Sequence, residues 1–121
     1  MVNKKILIID DDWRNIFALS AVLKAKKFAC LSCTSAEEAL QLLKTQEPVD
    51  VVLIDMMMPD MDGYEAIPLI KEIPHRQGTP VISVTAQAMV GDREKCMDAG
   101  ADGYISKPVD VDKLLQLLST L

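Results

Sequence analysis

The sequence predicts a three-layer α/β domain built around a five-stranded parallel sheet. A short apolar run, a polar turn and a stretch with helical spacing follow one another five times along the 121 residues, the alternation of strand and crossover helix that a parallel sheet needs. Three of the runs, Ile6–Ile9, Val51–Ile54 and Val81–Val84, are nearly continuous β-branched and leucine stretches, as strands covered on both faces should be, so these three are expected at the centre. Half of the residues are hydrophobic and 26% are charged, the balance of one globular domain with one core.

The first strand is expected over Lys5–Ile9 and the first helix over Trp13–Lys26, where Lys24, Lys26 and Lys27 suit the negative end of a helix dipole. Phe28–Leu31 reads as the second strand and Ser35–Thr45 as the second helix, with Ser35 followed by Glu38 as a capping box. Val49–Ile54 is the third strand and Gly63–Ile73 the third helix. Pro68 lies past the first turn of that helix and should kink it or remove a backbone hydrogen bond. Pro80–Val84 then pairs with a helix over Val90–Ala99, and Gly100 stands where the chain would leave that helix in a left-handed conformation. Tyr104–Ile105 and Val111–Leu121 complete the series. No repeat, linker or low-complexity segment interrupts it.

Several classes of function are disfavoured at once. No apolar run approaches the roughly 18 residues of a membrane span, and Met1–Lys5 leads directly into the first strand, so neither an anchor nor a signal peptide is expected. The net charge is −5, without the clustered Lys and Arg that would neutralise a row of phosphates, which argues against direct nucleic-acid binding. Three cysteines leave one unpaired under any pairing, which fits a reducing cytoplasm. Cys30-x-x-Cys33 has redox or zinc spacing but straddles the end of the second strand without a second ligand pair, so it reads as two buried or half-buried thiols. His75, the only histidine, lies in the turn-like segment 74–78 and reads as a solvated loop residue.

In an open parallel sheet ligands gather at the carboxyl ends of the strands. Asp10, Asp11 and Asp12 follow the first apolar run, Asp55 the third, Thr85 the fourth, and Lys107-Pro108 the fifth. Carboxylates crowded together repel one another, and a hard divalent ion such as Mg²⁺ removes the conflict; Asp11 and Asp55, with Asp10 reaching the ion through water, supply the right donors. Asp12 is equally well read as the cap of the first helix. Lys107 and Thr85 offer a positive charge and a hydroxyl to the oxygens of a phosphoryl group. A cis Lys107-Pro108 bond, expected here, would turn Lys107 back toward the other loops.

The strand ending in Asp10-Asp11, the run Asp55-Met56-Met57-Met58-Pro59 continuing to Met61-Asp62-Gly63, the strand end Val84-Thr85-Ala86, and Gly103-Tyr104-Ile105-Ser106-Lys107-Pro108 stand in the order and spacing of a known family. The chain resembles the receiver domain of two-component response regulators over essentially its whole length. The resemblance implies a flavodoxin-like, doubly wound (βα)5 fold with strand order 2-1-3-4-5 and a single receiver domain over residues 1–121. It implies that Asp55 accepts a phosphoryl group from a phosphohistidine on a sensor histidine kinase or histidine phosphotransfer protein. Asp11 would be a direct Mg²⁺ ligand, Asp10 an outer-sphere or second one, and Asp55 and the backbone carbonyl of Met57 further ligands, with Mn²⁺ able to substitute. Thr85 and Lys107 would hold the phosphoryl oxygens. Tyr104 would be the aromatic switch that swings inward when Thr85 moves, biasing a surface formed by the fourth helix, fifth strand and fifth helix toward an output protein or a second copy. Taken alone, Tyr104 also reads as an edge-strand aromatic covering the last helix.

The runs Asp10–Leu19 and Ala88–Cys96 resemble receivers attached to hybrid sensor histidine kinases, so the chain is expected to be either a stand-alone regulator or a receiver cut from a longer kinase. Either way it would be a signalling phosphoacceptor rather than an enzyme. Many members of the family carry a polar residue at the position of Met57; an apolar one there would exclude or misplace a hydrolytic water and lengthen the life of the phosphoaspartate, and it reads equally well as packing on a neighbouring loop with no kinetic role. Three other readings make contrary demands. A haloacid dehalogenase-type phosphatase needs a Thr or Val where Arg14 stands, a flavin mononucleotide module needs a hydroxyl- and glycine-rich loop where three acids stand, and a phosphorylation-independent pseudo-receiver usually lacks a site residue.

Overall fold

The computed structural model describes residues 4–86 and 91–121. Five strands, β1 (Lys5–Ile9), β2 (Ala29–Cys33), β3 (Val51–Asp55), β4 (Val81–Thr85) and β5 (Gly103–Ser106), alternate with five helices, α1 (Trp13–Ala25), α2 (Ala36–Lys44), α3 (Gly63–Glu72), α4 (Asp92–Asp98) and α5 (Val111–Ser119). The sheet is parallel throughout with the order β2-β1-β3-β4-β5, as the resemblance implies. The three near-continuous apolar runs are its central strands; β3 and β4 are buried along their whole length.

Alternation along each strand divides the core in two. Leu7, Ile9, Val52, Ile54 and Val81 face one side and pack with residues of α2 and α3, while Ile6, Ile8, Leu53, Ile82 and Val84 face the other and pack with Leu23, Leu114 and Leu118 of α1 and α5. Burial of one such side chain contributes roughly 1.5–3 kcal/mol.

The caps follow the sequence. Asp12 precedes α1 and accepts from the Arg14 amide; that hydrogen bond holds its carboxyl below the usual range. Ser35 Oγ accepts from Glu38 N at 3.1 Å, and the Glu38 carboxylate accepts from Thr34 N, one residue earlier than in a standard capping box. Gly100 leaves α4 at φ +111°, where a Cβ would also lie 3.2 Å from Ile67 Cγ2. Pro68 does not interrupt α3; it is exposed, and it simply has no N–H to give the Tyr64 carbonyl.

The strands differ in their bounds from the expectation. β2 starts at Ala29, after Lys27 turns the chain at φ +70°, and runs two residues past the expected end through Ser32 and Cys33, which pair with Ile8 and Ile9, because an edge strand need not be apolar. Cys30 and Cys33 therefore lie within one strand, three residues apart and on opposite faces, where no single ligand could join them. Burial pushes the Cys33 thiol up to about 12. Asp55 and Thr85 are the last residues of β3 and β4 rather than the first beyond them, because both remain in the ladder, opposite Val84 and Ser106. The expected helix start at Val90 lies outside the described residues. The turn-like 74–78 segment contains a 3₁₀ turn, Pro74–Arg76.

Candidate functional site

Of the residues singled out at the carboxyl edge, Asp10, Asp11, Asp55 and Lys107 converge. Carboxylate oxygens of Asp10, Asp11 and Asp55 lie within 4.8 Å of one another, Asp10 and Asp55 buried and Asp11 exposed. The sheet register accounts for this: β1 and β3 are neighbours, so the residues closing them sit side by side. Immediately after β5, the Lys107 amide donates to the Thr85 carbonyl at 2.7 Å, which ties the ends of β4 and β5 together. The Lys107-Pro108 peptide is cis, as expected, and Lys107 Nζ donates to Asp55 Oδ2 at 3.2 Å and Asp10 Oδ2 at 3.3 Å.

The loop after β3 is shaped around Asp55. Gly63 begins α3 against Met56, whose carbonyl its amide reaches at 3.2 Å; a Cβ on Gly63 would collide with the Met56 side chain and stand 2.9 Å from its Cα. Asp60 takes a left-handed conformation at φ +67°, one that aspartate tolerates better than most residues. The Met57 amide donates to Asp55 Oδ1 at 3.0 Å, and its side chain is 52% exposed.

Charge is unevenly matched here. Burial raises the Asp55 pKa above the usual carboxylate value and Asp10 raises it further, against the hydrogen bonds from Met57 and Lys107 that favour the ionised form. Burial works against the Lys107 ammonium, yet hydrogen bonding to Asp55 and the fields of Asp55 and Asp10 hold its pKa above the ordinary lysine value. Asp10 accepts in addition from the Asp12 amide at 2.9 Å and from Asn15 Nδ2 at 3.4 Å. Three acids facing one lysine form a cluster of oxygen-only donors with excess negative charge, which fits a hard divalent cation and would suit no soft one.

A family model described as the response regulator receiver domain matches residues 6–119. The chain belongs to that family. It is 41% identical over 113 residues to the signal transduction histidine-protein kinase BarA of Escherichia coli K12, covering 93% of this chain but only 12% of BarA. To the polar-differentiation response regulator DivK of Brucella ovis it is 30% identical, over 98% of this chain and 96% of DivK. Among solved structures, the receiver domain of the sensor histidine kinase PA1611 from Pseudomonas aeruginosa superposes with a TM-score of 0.88 at 28% identity, covering 98% of this chain and 97% of that one; it carries a magnesium ion coordinated in its active site cleft. This receiver domain is thus a module of phosphorelay signalling, and no helix among its described residues is long and apolar enough to cross a membrane.

Tyr104, singled out as the switch, lies elsewhere, and Asp12 caps α1. The Tyr104 ring packs half-buried against the α2–α3 side of the core, and its hydroxyl donates to Asp92 Oδ2 at 3.0 Å, away from the acidic cluster. Thr85 is wholly buried. Two polar residues were not anticipated from sequence. Asn15 stands one helical turn beyond Asp11, a spacing that could have marked it; Asp92 had no such signal, because its partners are brought to it from α3 and β5.

Proposed function

We propose that residues 1–121 form a single receiver domain that takes a phosphoryl group onto Asp55 from a phosphohistidine of a sensor histidine kinase or histidine phosphotransfer protein. The observation that carries the reading is the position of Lys107, whose one ammonium bridges Asp55 and Asp10 at 3.2 and 3.3 Å within a cluster of three acids. In the transfer the P–N bond of the phosphohistidine breaks with its electron pair staying on the imidazole, and a P–O bond forms to an Asp55 carboxylate oxygen. Asp10, Asp11 and Asp55, with the backbone carbonyl of Met57, would hold Mg²⁺, or Mn²⁺ in its stead, and the bound ion supplies neutralisation of the charge on the phosphoryl oxygens. Lys107 provides a fixed positive charge beside the same oxygens, and Thr85 a hydroxyl donor. The amide of Met57, already aimed at Asp55 Oδ1, orients the acceptor carboxylate.

Phosphorylation brings about 1.5–2 negative charges and three acceptor oxygens, which draw Thr85 and Lys107 inward. Tyr104 then turns from its half-exposed place into the space that Thr85 leaves, and the α4–β5–α5 face is offered to an output protein or a second copy of the chain. Hydrolysis of the acyl phosphate resets it, so the domain is a cytoplasmic switch and not an enzyme with an external substrate; its free thiols Cys30, Cys33 and Cys96 suit that compartment. Intact-protein mass spectrometry after incubation with acetyl phosphate tests the reading. A single base-labile, Mg²⁺-dependent phosphoryl adduct, absent from Asp55→Asn, is expected; an adduct of equal yield on Asp55→Asn would refute it.

A further inference from the structure

The two tyrosines of the chain meet on one carboxylate. Tyr64, the second residue of α3, donates from its hydroxyl to Asp92 Oδ1 at 3.1 Å, and Tyr104, in β5, donates to Asp92 Oδ2 at 3.0 Å. Asp92 is the first residue of α4 and only 6% exposed. A buried carboxylate is tolerated when its oxygens are hydrogen-bonded, and here each takes one phenol. Tyr64 is itself fixed: the Lys95 ammonium stands 4.6 Å from its ring centroid, and Cys96 Sγ is 3.8 Å from its hydroxyl. Burial raises both phenol pKa values, Cys96 and Asp92 adding to it at Tyr64 and Asp92 at Tyr104, so both hydroxyls stay protonated donors at neutral pH. Directly across from Tyr104 in β4 stands Ser83, small and wholly buried, with a hydroxyl that has no partner among the described residues.

We propose that Asp92 is the positioning residue that holds Tyr104 in its outer, half-exposed place, with Tyr64 as the second arm that keeps Asp92 there. The inference rests on the phosphoacceptor reading for what drives the switch, but the latch itself is a property of these three side chains. When Thr85 moves, Tyr104 can turn inward over Ser83 only by giving up its bond to Asp92, which leaves that buried carboxylate with a single phenol. The bond therefore weighs against the switched state. Weakening it raises the population of that state and lowers the amount of phosphoryl mimic needed to fill it. The latch also links α3 to the α4–β5 face through one residue.

Because both tyrosines belong to the latch, ¹⁹F NMR of protein labelled with 3-fluorotyrosine reports on it through two resonances, and Tyr64→Phe assigns the one that remains to Tyr104. Beryllofluoride with Mg²⁺ serves as the phosphoryl mimic. Asp92→Ala is expected to lower the half-saturating beryllofluoride concentration about three- to tenfold and to move the Tyr104 resonance of the beryllium-free protein toward its position in the saturated wild type. Tyr64→Phe should act in the same direction but less. Asp92→Asn, which keeps the shape of the side chain, provides the same readout should the alanine variant fail to fold. An unchanged or raised half-saturation in a folded Asp92 variant would overturn the latch. If the wild type itself gives no response to beryllofluoride, the phosphoacceptor reading fails, and broadening of the Tyr104 resonance by a neutral gadolinium chelate decides the latch separately. Less broadening in Asp92→Ala than in the wild type, as the ring turns inward, upholds it; equal or greater broadening refutes it.

Discussion

At the carboxyl end of the sheet three carboxylates meet one ammonium, whereas at its amino end the guanidinium of Arg76 meets three carbonyls. Arg76 is 5% exposed, and its Nε donates to Leu43 O at 2.9 Å while Nη2 donates to Thr45 O at 3.0 Å and Glu47 O at 2.6 Å. These carbonyls close α2 and lead into β3, where the helix can no longer satisfy them. His75 adds a bond from Nε2 to Thr45 O at 2.8 Å. Donors and acceptors at the amino end thus match, and the planar fork of arginine suits the geometry. At the carboxyl end Asp55 is buried beside Asp10 with its pKa raised, and three acids share a single lysine, a surplus of negative charge that a bound cation would relieve. One end holds the fold together and the other is held ready by it, which is how a domain of this size keeps stability and function on separate residues.

Removing Arg76 should give the largest effect on stability. Arg76→Ala leaves buried carbonyls without donors and is expected to lower the unfolding free energy by about 2–4 kcal/mol, measured by urea denaturation. Folded protein should still take up phosphate from acetyl phosphate to the wild-type extent. A loss of uptake in protein shown to be folded would mean that the two ends are not independent.

A substitution at the opposite end should act with the opposite sign. Because the folded pKa of Asp55 is raised above its ordinary 3.8, its contribution to stability is fully present below that value and is lost as pH rises through the folded pKa. In the presence of a chelator, Asp55→Asn should therefore be more stable than the wild type at neutral pH, by less than Arg76→Ala loses, and the gain should shrink as pH falls toward 3.8. Thermal melts of both proteins across this range isolate the contribution of Asp55. A variant that is less stable than the wild type at pH 7 would show that the ion pair with Lys107 outweighs burial.

The same contrast explains what the sequence revealed. The strands were legible because apolar runs and turns are local signals, and the acids at their ends because the topology of a parallel sheet brings every strand end to one edge. The limits of β2 were not, since Ser32 and Cys33 join the ladder through backbone pairing that takes no account of side-chain polarity. Arg76 lies in the turn-like segment 74–78, and nothing near it in sequence reveals that Leu43, Thr45 and Glu47 present their carbonyls to it. Asp92 escaped for the same reason, its two phenols arriving from α3 and β5. Tyr104 could be singled out, but its partner could not.

The finest difference concerns the lifetime of the phosphorylated state, and it turns on a residue that is apolar yet half in solvent. The Met57 side chain is 52% exposed, while its amide holds Asp55 Oδ1 at 3.0 Å, so a substitution can change what surrounds the acyl phosphate without disturbing that hydrogen bond. A thioether offers an attacking water no strong acceptor and would hinder its approach, whereas an amide at the same place would bind and aim it. Met57→Asn is expected to lower the barrier to hydrolysis by about 1 kcal/mol, roughly fivefold in rate, followed by phosphate release from the phosphorylated protein in Mg²⁺. Stability should stay near that of the wild type, because an exposed side chain contributes little to the core. An unchanged rate would assign Met57 to packing alone and leave the slow step to the buried side of the site, where Thr85 and Lys107 stand.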